Sequence, residues 1–156
     1  MVSILVAFDT KYGNTQRVAE AIAEGLETAR EIKATVLNIK NVDAKTIPTF
    51  DAFLVGSPAH FGEPTGTAKG FIKQLGKLKL EGKRIAVFDT YIKNDFEKAA
   101  RKMEAFIRKE APRLIIVSPV LSIRILGRGT GPIAEGELPK CQDFGRRFVA
   151  KLKGSD

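Results

Sequence analysis

One segment of the sequence contains residue types that suit the binding of an anion. Residues 9–15 (DTKYGNT) follow a short apolar run and precede a helical pattern. Thr10 and Thr15 place a hydroxyl at each end of the loop, Gly13 permits a tight turn, and Asn14 offers an amide. The free N–H groups of a helix start point to the same volume, so the loop can hold a phosphate-like anion. An N-cap by Asn14 or Thr15 alone would explain only two of these residues.

The sequence lacks the residue sets of several other chemistries. A single cysteine, Cys141, and a single histidine, His60, exclude an internal disulfide and a CxxC or Cys/His metal site. The motifs GxxxxGK[ST] and GxSxG are absent, which excludes a P-loop nucleotidase and a serine hydrolase. A phospho-acceptor receiver domain needs a second acid beside the one after its first strand and an Asp at the end of its third strand. This chain has only Asp9 at the first position and Gly56-Ser57 at the second, so a receiver domain is excluded. We therefore predict no metal site and no covalent catalytic residue.

Apolar runs of strand length alternate with helical patterns along the chain. The runs are residues 3–8, 34–39, 52–56, 84–88 and 114–117, and residues 120–126 also resemble a strand. Between the runs, apolar residues at i, i+3, i+4 and i+7 predict helices with one buried face. These residues are Val18, Ala19, Ile22, Ala23 and Leu26; Ala68, Phe71, Ile72 and Leu75; Phe96, Ala99, Ala100, Met103, Phe106 and Ile107; and Leu138, Cys141, Phe144, Phe148 and Leu152. Residues 41–50 are short for a helix and contain Pro48.

The alternation predicts an α/β fold with a doubly wound parallel sheet. Continuous Ile, Val and Leu content is typical of strands that are buried on both faces. Right-handed crossovers favour a three-layer sandwich around a five-stranded sheet of order 2-1-3-4-5. No repeat or linker divides the chain, so we expect one domain over residues 1–156. Ligands of such sheets bind beyond the carboxyl ends of the strands, at the loops after Phe8, Val55 and Phe88.

The first loop closely resembles the FMN phosphate loop of the flavodoxin family. The likeness lies in Thr-x-x-Gly-Asn-Thr after the first strand, followed by Val18, Ala19 and Ile22. Residues 56–62 (GSPAHFG) are similar to the loop that flanks the isoalloxazine ring in flavodoxins and related FMN-dependent quinone reductases. The resemblance extends over the whole chain and implies a flavodoxin-like fold with FMN as the cofactor.

The resemblance also implies three groups of FMN-binding residues. The phosphate group would contact Thr10, Lys11, Tyr12, Gly13, Asn14 and Thr15. One side of the ring would contact Ser57, Pro58, Ala59, His60, Phe61 and Gly62. The loop after the fourth strand would contribute Asp89, Thr90 and Tyr91, with the tyrosine stacked on the ring. Glu63 and Asp89 are expected to place carboxylates near the ring, where they disfavour a negatively charged reduced flavin.

A further loop, residues 127–132 (GRGTGP), is rich in glycine. Gly129 to Ala134 formally match GxGxxA, but Pro132 lies inside the motif and no second βαβ half with a ribose-binding acid follows. We interpret this segment as a flexible basic loop near the site, able to act as a lid.

The charge of the chain limits its partners. The 26 Lys and Arg against 18 Asp and Glu give a formal charge of +8, mostly from the part after residue 100. The basic pairs there fall on outer helix faces without interleaved aromatics, so we predict solvated faces and no nucleic-acid partner: Arg101, Lys102, Arg108, Lys109, Arg146 and Arg147. The N-terminal apolar run is too short for a signal peptide or a membrane span, so we expect a cytoplasmic protein without a membrane partner.

The resemblance supports three functions. The first is an FMN-binding redox protein that carries electrons between partner proteins, and the basic charge favours an acidic partner. The second is an FMN-dependent NAD(P)H:quinone reductase, and the third is an interaction module that has lost FMN. We favour the electron carrier over a stand-alone oxidoreductase. The sequence does not set an oligomeric state.

Overall fold

A parallel β-sheet forms the middle layer of the protein. The computed structural model describes residues 1–154, so the last two residues of the expected domain lie outside the described residues. The strands lie in the order β2-β1-β3-β4-β5, with β6 also paired to β4, and every pairing is parallel. They are β1 (Val2–Phe8), β2 (Ile32–Asn38), β3 (Ala52–Pro58), β4 (Arg84–Tyr91), β5 (Ile115–Ile116) and β6 (Leu121–Arg124). The predicted order 2-1-3-4-5 is confirmed.

Helices cover both faces of this sheet. They are α1 (Asn14–Leu26), α2 (Gly66–Gly76), α3 (Lys98–Glu110) and α4 (Leu138–Leu152). Ile4 and Val6 of β1 belong to the core formed with α1 and α4, whereas Leu5 and Ala7 belong to the core formed with α2 and α3. Successive residues of a strand point to opposite faces, which explains why the whole run of β1 is apolar. The predicted three-layer sandwich is confirmed.

Two segments depart from the predicted helices. The crossover from β2 to β3 contains only two short 3₁₀ helices, Ile39–Asn41 and Ala44–Thr49, because the segment is short and Pro48 lies within it. The helix expected from Phe96 begins instead at Lys98. The Phe96 side chain is 56% exposed and is not part of the core, which corrects the predicted helix face.

The outer edge of the sheet is an interrupted strand. β5 pairs with Arg84 and Ile85 at the start of β4, and β6 pairs with Phe88 to Tyr91 near its end. Buried carboxylates hold the segments around this interruption. Their contacts are Asp89 with Ser122 Oγ (2.5 Å), Glu104 with Ser118 Oγ (3.0 Å) and Glu137 with the Arg124 N–H (2.9 Å). The edge is therefore fixed by side chains from β4, α3 and the start of α4 as well as by the ladder.

Helices α1 and α4 approach each other unusually closely. A Cβ built on Gly25 of α1 would lie 1.9 Å from the Gln142 carbonyl oxygen of α4. A Cβ on Gly145 of α4 would lie 2.3 Å from the Ile22 carbonyl oxygen of α1. Both helices thus place a glycine where the backbones meet, and Cys141 lies fully buried in the core of the same layer. Burial raises the pKa of the Cys141 thiol to about 12, in keeping with a packing role.

We expect Gly25→Ala to destabilise the protein by about 1–3 kcal/mol, because the helix backbones must separate to admit the methyl group. Gly70→Ala in α2 is the matched control, since nothing lies within 4 Å of its added Cβ. There the better helix propensity of alanine should stabilise the protein by about 0.5–1 kcal/mol. Urea unfolding of both variants measures the difference. Similar effects of the two substitutions would contradict the close α1–α4 approach.

Candidate functional site

A cleft of about 870 Å³ opens at the carboxyl ends of β1, β3 and β4. This volume lies in the range of small-molecule sites, about 300–1,000 Å³. Nine predicted site residues line it: Thr10, Lys11, Tyr12, Pro58, Ala59, His60, Phe61, Thr90 and Tyr91. The cleft wall does not include the other six: Gly13, Asn14, Thr15, Ser57, Gly62 and Asp89. A second hollow of about 510 Å³ lies between the interrupted edge strand and α4, away from all the predicted site residues.

The loop before α1 is pre-shaped by its own hydrogen bonds. The Thr10 hydroxyl accepts the Gly13 N–H (2.9 Å), and the Asp9 carboxylate accepts the Thr10 N–H (2.9 Å). Gly13 occupies the N-cap position of α1, and no side chain of residues 1–154 caps this helix. The first turn also carries no acidic residue. The N–H groups at the start of α1 therefore remain available to an anion, whose charge the helix dipole favours.

The amide and the second hydroxyl of the motif hold the loop in place. Asn14 Nδ2 donates to the Gly129 carbonyl oxygen (3.0 Å), and Thr15 Oγ1 shares a hydrogen bond with Thr90 Oγ1 (2.9 Å). Both Asn14 and Thr15 are buried. Both side chains are thus engaged with neighbouring loops, and the expected contact of Asn14 and Thr15 with the phosphate stays a prediction. Their backbone N–H groups remain at the helix start.

The loop after β3 forms a tight turn at the cleft mouth. His60 and Glu63 exchange two backbone hydrogen bonds (2.8 and 3.0 Å) across Phe61 and Gly62. Both central residues have positive φ, 52° and 77°, as a two-residue turn of type I′ requires. Gly62 adopts this conformation readily, whereas Phe61 is strained by about 1–2 kcal/mol. The turn projects the Phe61 ring, which is 91% exposed and lies edge-on to His60.

Glu63 lies on the cleft wall, but its charge is compensated. Its carboxylate accepts a hydrogen bond from Lys102 of α3 and lies 3.8 Å from Lys69 of α2. The hydrogen bond to Lys102 is the main cause of the lowered pKa of Glu63. The expected anion near the ring is therefore one member of a cluster with two cations, and the cluster links the turn to both helices. Ion pairs this exposed contribute little to stability.

Ser57 is buried and supports the loop from behind. Its hydroxyl donates to the Pro58 carbonyl oxygen (2.8 Å) and accepts the Thr65 N–H (3.0 Å). Thr65 in turn caps α2, since its hydroxyl accepts the Ala68 N–H (3.2 Å). The Ser57 side chain therefore links β3 to the start of α2, and the expected place of Ser57 beside the ring stays a prediction.

An aromatic pair forms another part of the site. Tyr91 lies on the cleft wall, and Phe96 contacts its ring edge-on with 5.5 Å between centroids. Burial, and secondarily the charge of Glu137, raises the pKa of Tyr91, so this side chain stays neutral near pH 7. The role of Phe96 was missed because its spacing fits a helix stripe.

Asp89 is fully buried and does not face the cleft. Its carboxylate accepts the Ala100 N–H of α3 (2.9 Å) and the Ser122 hydroxyl of β6 (2.5 Å). Ser122 Oγ also accepts the Glu97 N–H (2.8 Å). The expected role of Asp89 beside the ring is thus corrected: it joins β4, β6 and the start of α3. Burial raises its pKa to about 6, against the lowering effect of these hydrogen bonds.

No FMN-binding role was expected for nine other residues of the cleft wall. They are Pro64, Thr65, Gly66, Ile92, Lys93, Asp95, Ile125, Arg128 and Gly129. The last two belong to the glycine-rich loop, which is a hydrogen-bonded hairpin closed by a bridge between Ile125 and Ile133. The loop lies beside the cleft as expected, and its movement as a lid stays a prediction.

These features define a class of protein. A parallel sheet of order 2-1-3-4-5 with an open helix start and aromatic side chains around a cleft defines a flavodoxin-like α/β protein that binds a small ligand with an anionic end. Within residues 1–154, no helix combines the length and apolar character needed to cross a membrane.

Comparison of the sequence with known proteins identifies the family. The Flavodoxin family model matches residues 6–118. Flavodoxins of Clostridium saccharobutylicum (29% identical, covering 57% of this chain and 56% of that protein) and Aquifex aeolicus (35%, 58% and 50%) are similar. The chain spans about half the length of these two relatives. The NAD(P)H dehydrogenase (quinone) of Archaeoglobus fulgidus is 31% identical over 99% of this chain and 94% of that protein. The chain belongs to the flavodoxin family.

Solved structures show the same fold. A flavodoxin from the domain Archaea superposes with a TM-score of 0.83 at 23% identity, covering 97% of this chain and 99% of that chain. The flavodiiron core of Flv1 from Synechocystis superposes with a TM-score of 0.77 at 19% identity, covering 99% of this chain but 37% of that chain.

The cofactor of the flavodoxin family is FMN, and the donor set of the cleft fits it. The start of α1 offers uncapped N–H groups and the Thr10 hydroxyl for a phosphate, and Tyr91 and Phe61 offer aromatic surface for a ring. When bound, FMN supplies one- or two-electron transfer, and the chain supplies binding and electrostatics.

The raised pKa of Asp89 predicts a pH dependence of stability. The folded state holds the Asp89 proton up to about pH 6, whereas the unfolded chain releases it near 3.8. Because the folded state binds more protons between these values, this contribution is fully present below pH 3.8 and is lost as the pH rises through 6. The loss amounts to about 2–3 kcal/mol.

The test compares urea unfolding of the wild type and Asp89→Asn at several pH values from 4 to 7. The variant lacks the titrating group, so its free energy of unfolding should fall less than that of the wild type over this range. Parallel curves for the two proteins would show that Asp89 does not titrate there.

Proposed function

We propose that the protein carries electrons between partner proteins, with FMN held in the cleft. The observation that carries the proposal is the exposed aromatic turn at the cleft mouth, where Phe61 is 91% exposed on a strained backbone. Strain at such a position persists only where the surrounding structure enforces it. An apolar side chain held outward beside the ring site gives a partner protein a contact at the point where electrons leave.

An acidic protein is the partner that the charges favour. Among residues 1–154, neither Lys11 nor Lys93 on the cleft wall has a carboxylate partner, and Lys11 lies over the Tyr12 ring at 5.2 Å. Asp95, an acid of the same wall, is paired with Lys98 (3.2 Å) and so does not neutralise these two lysines. Unpaired cations around the cleft attract an acidic partner and orient the encounter. We place this activity in the cytoplasm and in one domain over residues 1–156.

We assign the phosphate of FMN to the loop before α1. The Thr10 hydroxyl, which the Gly13 N–H holds in place, and the backbone N–H groups of Asn14 and Thr15 at the open helix start would contact it. The backbone of Lys11 and Tyr12 completes the loop, and the side chains of Asn14 and Thr15 hold it. We assign the ring to the space between the turn of residues 60–63 and Tyr91. Ala59 N–H donates to the Thr90 carbonyl oxygen (2.7 Å), which links the two walls.

Thr10→Val tests the phosphate assignment. The valine keeps the shape but removes the hydroxyl that accepts the Gly13 N–H, so we expect FMN affinity to fall about tenfold. Thr10→Ser keeps the hydroxyl and should bind FMN within about twofold of the wild type. Titration of the apoprotein by quenching of FMN fluorescence measures both. Equal affinity of the valine and serine variants would remove Thr10 from the site.

A second function, FMN-dependent NAD(P)H:quinone reductase, is favoured by one specific finding. The relative that matches nearly the whole chain is the NAD(P)H dehydrogenase (quinone) of Archaeoglobus fulgidus. The third alternative, a module without FMN, is disfavoured by the family to which the chain belongs.

Anaerobic reduction distinguishes the carrier from the reductase. For a carrier we expect NADH and NADPH to bleach the FMN-loaded protein only over many minutes, because the chain need not bind a nicotinamide. The chemically reduced protein should then pass electrons to an acidic ferredoxin-like acceptor faster than to a basic acceptor. Added salt should slow the acidic pair. Bleaching by NADH or NADPH within seconds would instead establish the reductase.

A further inference from the structure

The glycine-rich segment near the C-terminus is built into the site. Its hairpin is closed by the Leu126 N–H to Pro132 carbonyl bond (2.9 Å) and the Gly131 N–H to Leu126 carbonyl bond (3.2 Å). Arg128 lies at the turn of this hairpin and on the cleft wall. The backbone at this turn is therefore ordered by hydrogen bonds of its own.

The hairpin is also fixed against the loop before α1. Asn14 Nδ2 donates to the Gly129 carbonyl oxygen, one residue after Arg128. Gly131 has a φ of 106°, and a Cβ there would lie 3.2 Å from Asn14 Oδ1. Only glycine adopts this positive φ readily and also leaves room for the Asn14 side chain. The tether therefore holds the backbone next to Arg128 against the helix start that has been assigned to the phosphate.

Arg128 carries a charge that the protein does not neutralise. Its side chain is exposed, and within residues 1–154 it forms no ion pair. The acids of the cleft wall are engaged elsewhere. They are Asp9 with the Thr10 N–H, Glu63 with Lys102 and Lys69, and Asp95 with Lys98. A cation without a carboxylate partner on a ligand cleft is suited to an anionic group of the ligand.

We propose that Arg128 is a cofactor-binding residue that pairs with the phosphate monoester of FMN. The loop before α1 supplies neutral donors and one cation, Lys11, whose ammonium lies over the Tyr12 ring. Arg128 supplies the charge that those donors lack, and its planar fork suits a phosphate. This inference rests on the proposed FMN site. It makes the C-terminal hairpin, which has no phosphate-loop motif, part of the phosphate site.

The experiment compares FMN with riboflavin, which lacks the phosphate. Dissociation constants of both are measured by fluorescence titration for the wild type, Arg128→Ala and Arg128→Lys. We expect Arg128→Ala to weaken FMN binding about tenfold and to leave riboflavin binding unchanged. Arg128→Lys should lie between the wild type and the alanine variant, since it keeps the charge but not the fork. The slope of FMN affinity against salt should also be smaller in Arg128→Ala.

Arg124→Ala is the matched control, because Arg124 is an exposed arginine of β6 that does not line the cleft. It should leave FMN binding within about twofold of the wild type. Equal loss of FMN and riboflavin affinity in Arg128→Ala, or no loss of either, would overturn the inference. Equal effects of Arg124→Ala and Arg128→Ala on FMN would also overturn it. Failure of the wild type to bind FMN would overturn the proposed function instead.

Discussion

The parallel alignment of β1, β3 and β4 is the constraint on which the site depends. Phe8, Gly56 and Phe88 lie in register across the three strands, so the loops that follow open at one edge. Gly56 is required there, since a Cβ would lie 2.1 Å from the Phe88 ring. Both faces of these strands are buried, so hydrophobic burial sets the register before any ligand is present. The cleft is thus a consequence of sheet packing.

Most polar side chains of the site hold its loops in place. Asn14, Thr15 and Ser57 are buried, and each bonds to a neighbouring loop or to the start of a helix. Buried polar groups need such partners, because an unpaired one is costly. The N–H groups at the start of α1 are thereby left open and correctly oriented. Pre-organised donors of this kind bind an anion without first having to reorganise.

The sequence predicts the features that depend on local patterns, and fails on those that depend on distant contacts. Apolar runs and glycine-containing loops are local, which is why the strand order was predicted correctly and why nine of the twenty cleft-wall residues come from the expected loops. The burial of Asp89 depends on Ser122 of β6 and Ala100 of α3, which are 33 and 11 residues away. Phe96 has helical spacing but packs against Tyr91 outside the helix. Neither arrangement leaves a signal in the periodicity.

The positive charge of the chain acts mainly where it is not paired. On α3, Arg101 pairs with Glu97 and Lys102 pairs with Glu63, so much of the basic surface predicted there is locally compensated.

The cations on the cleft wall are not compensated in this way. Within residues 1–154, neither Lys93 nor Arg128 pairs with a carboxylate. A net charge of +8 distributed evenly over the surface would be screened within about 8 Å at physiological salt. Concentrated in a cleft, the same sign of charge focuses the field on an anionic ligand or partner. For the proposed electron carrier, the position of the unpaired cations therefore matters more than their number in selecting an acidic partner.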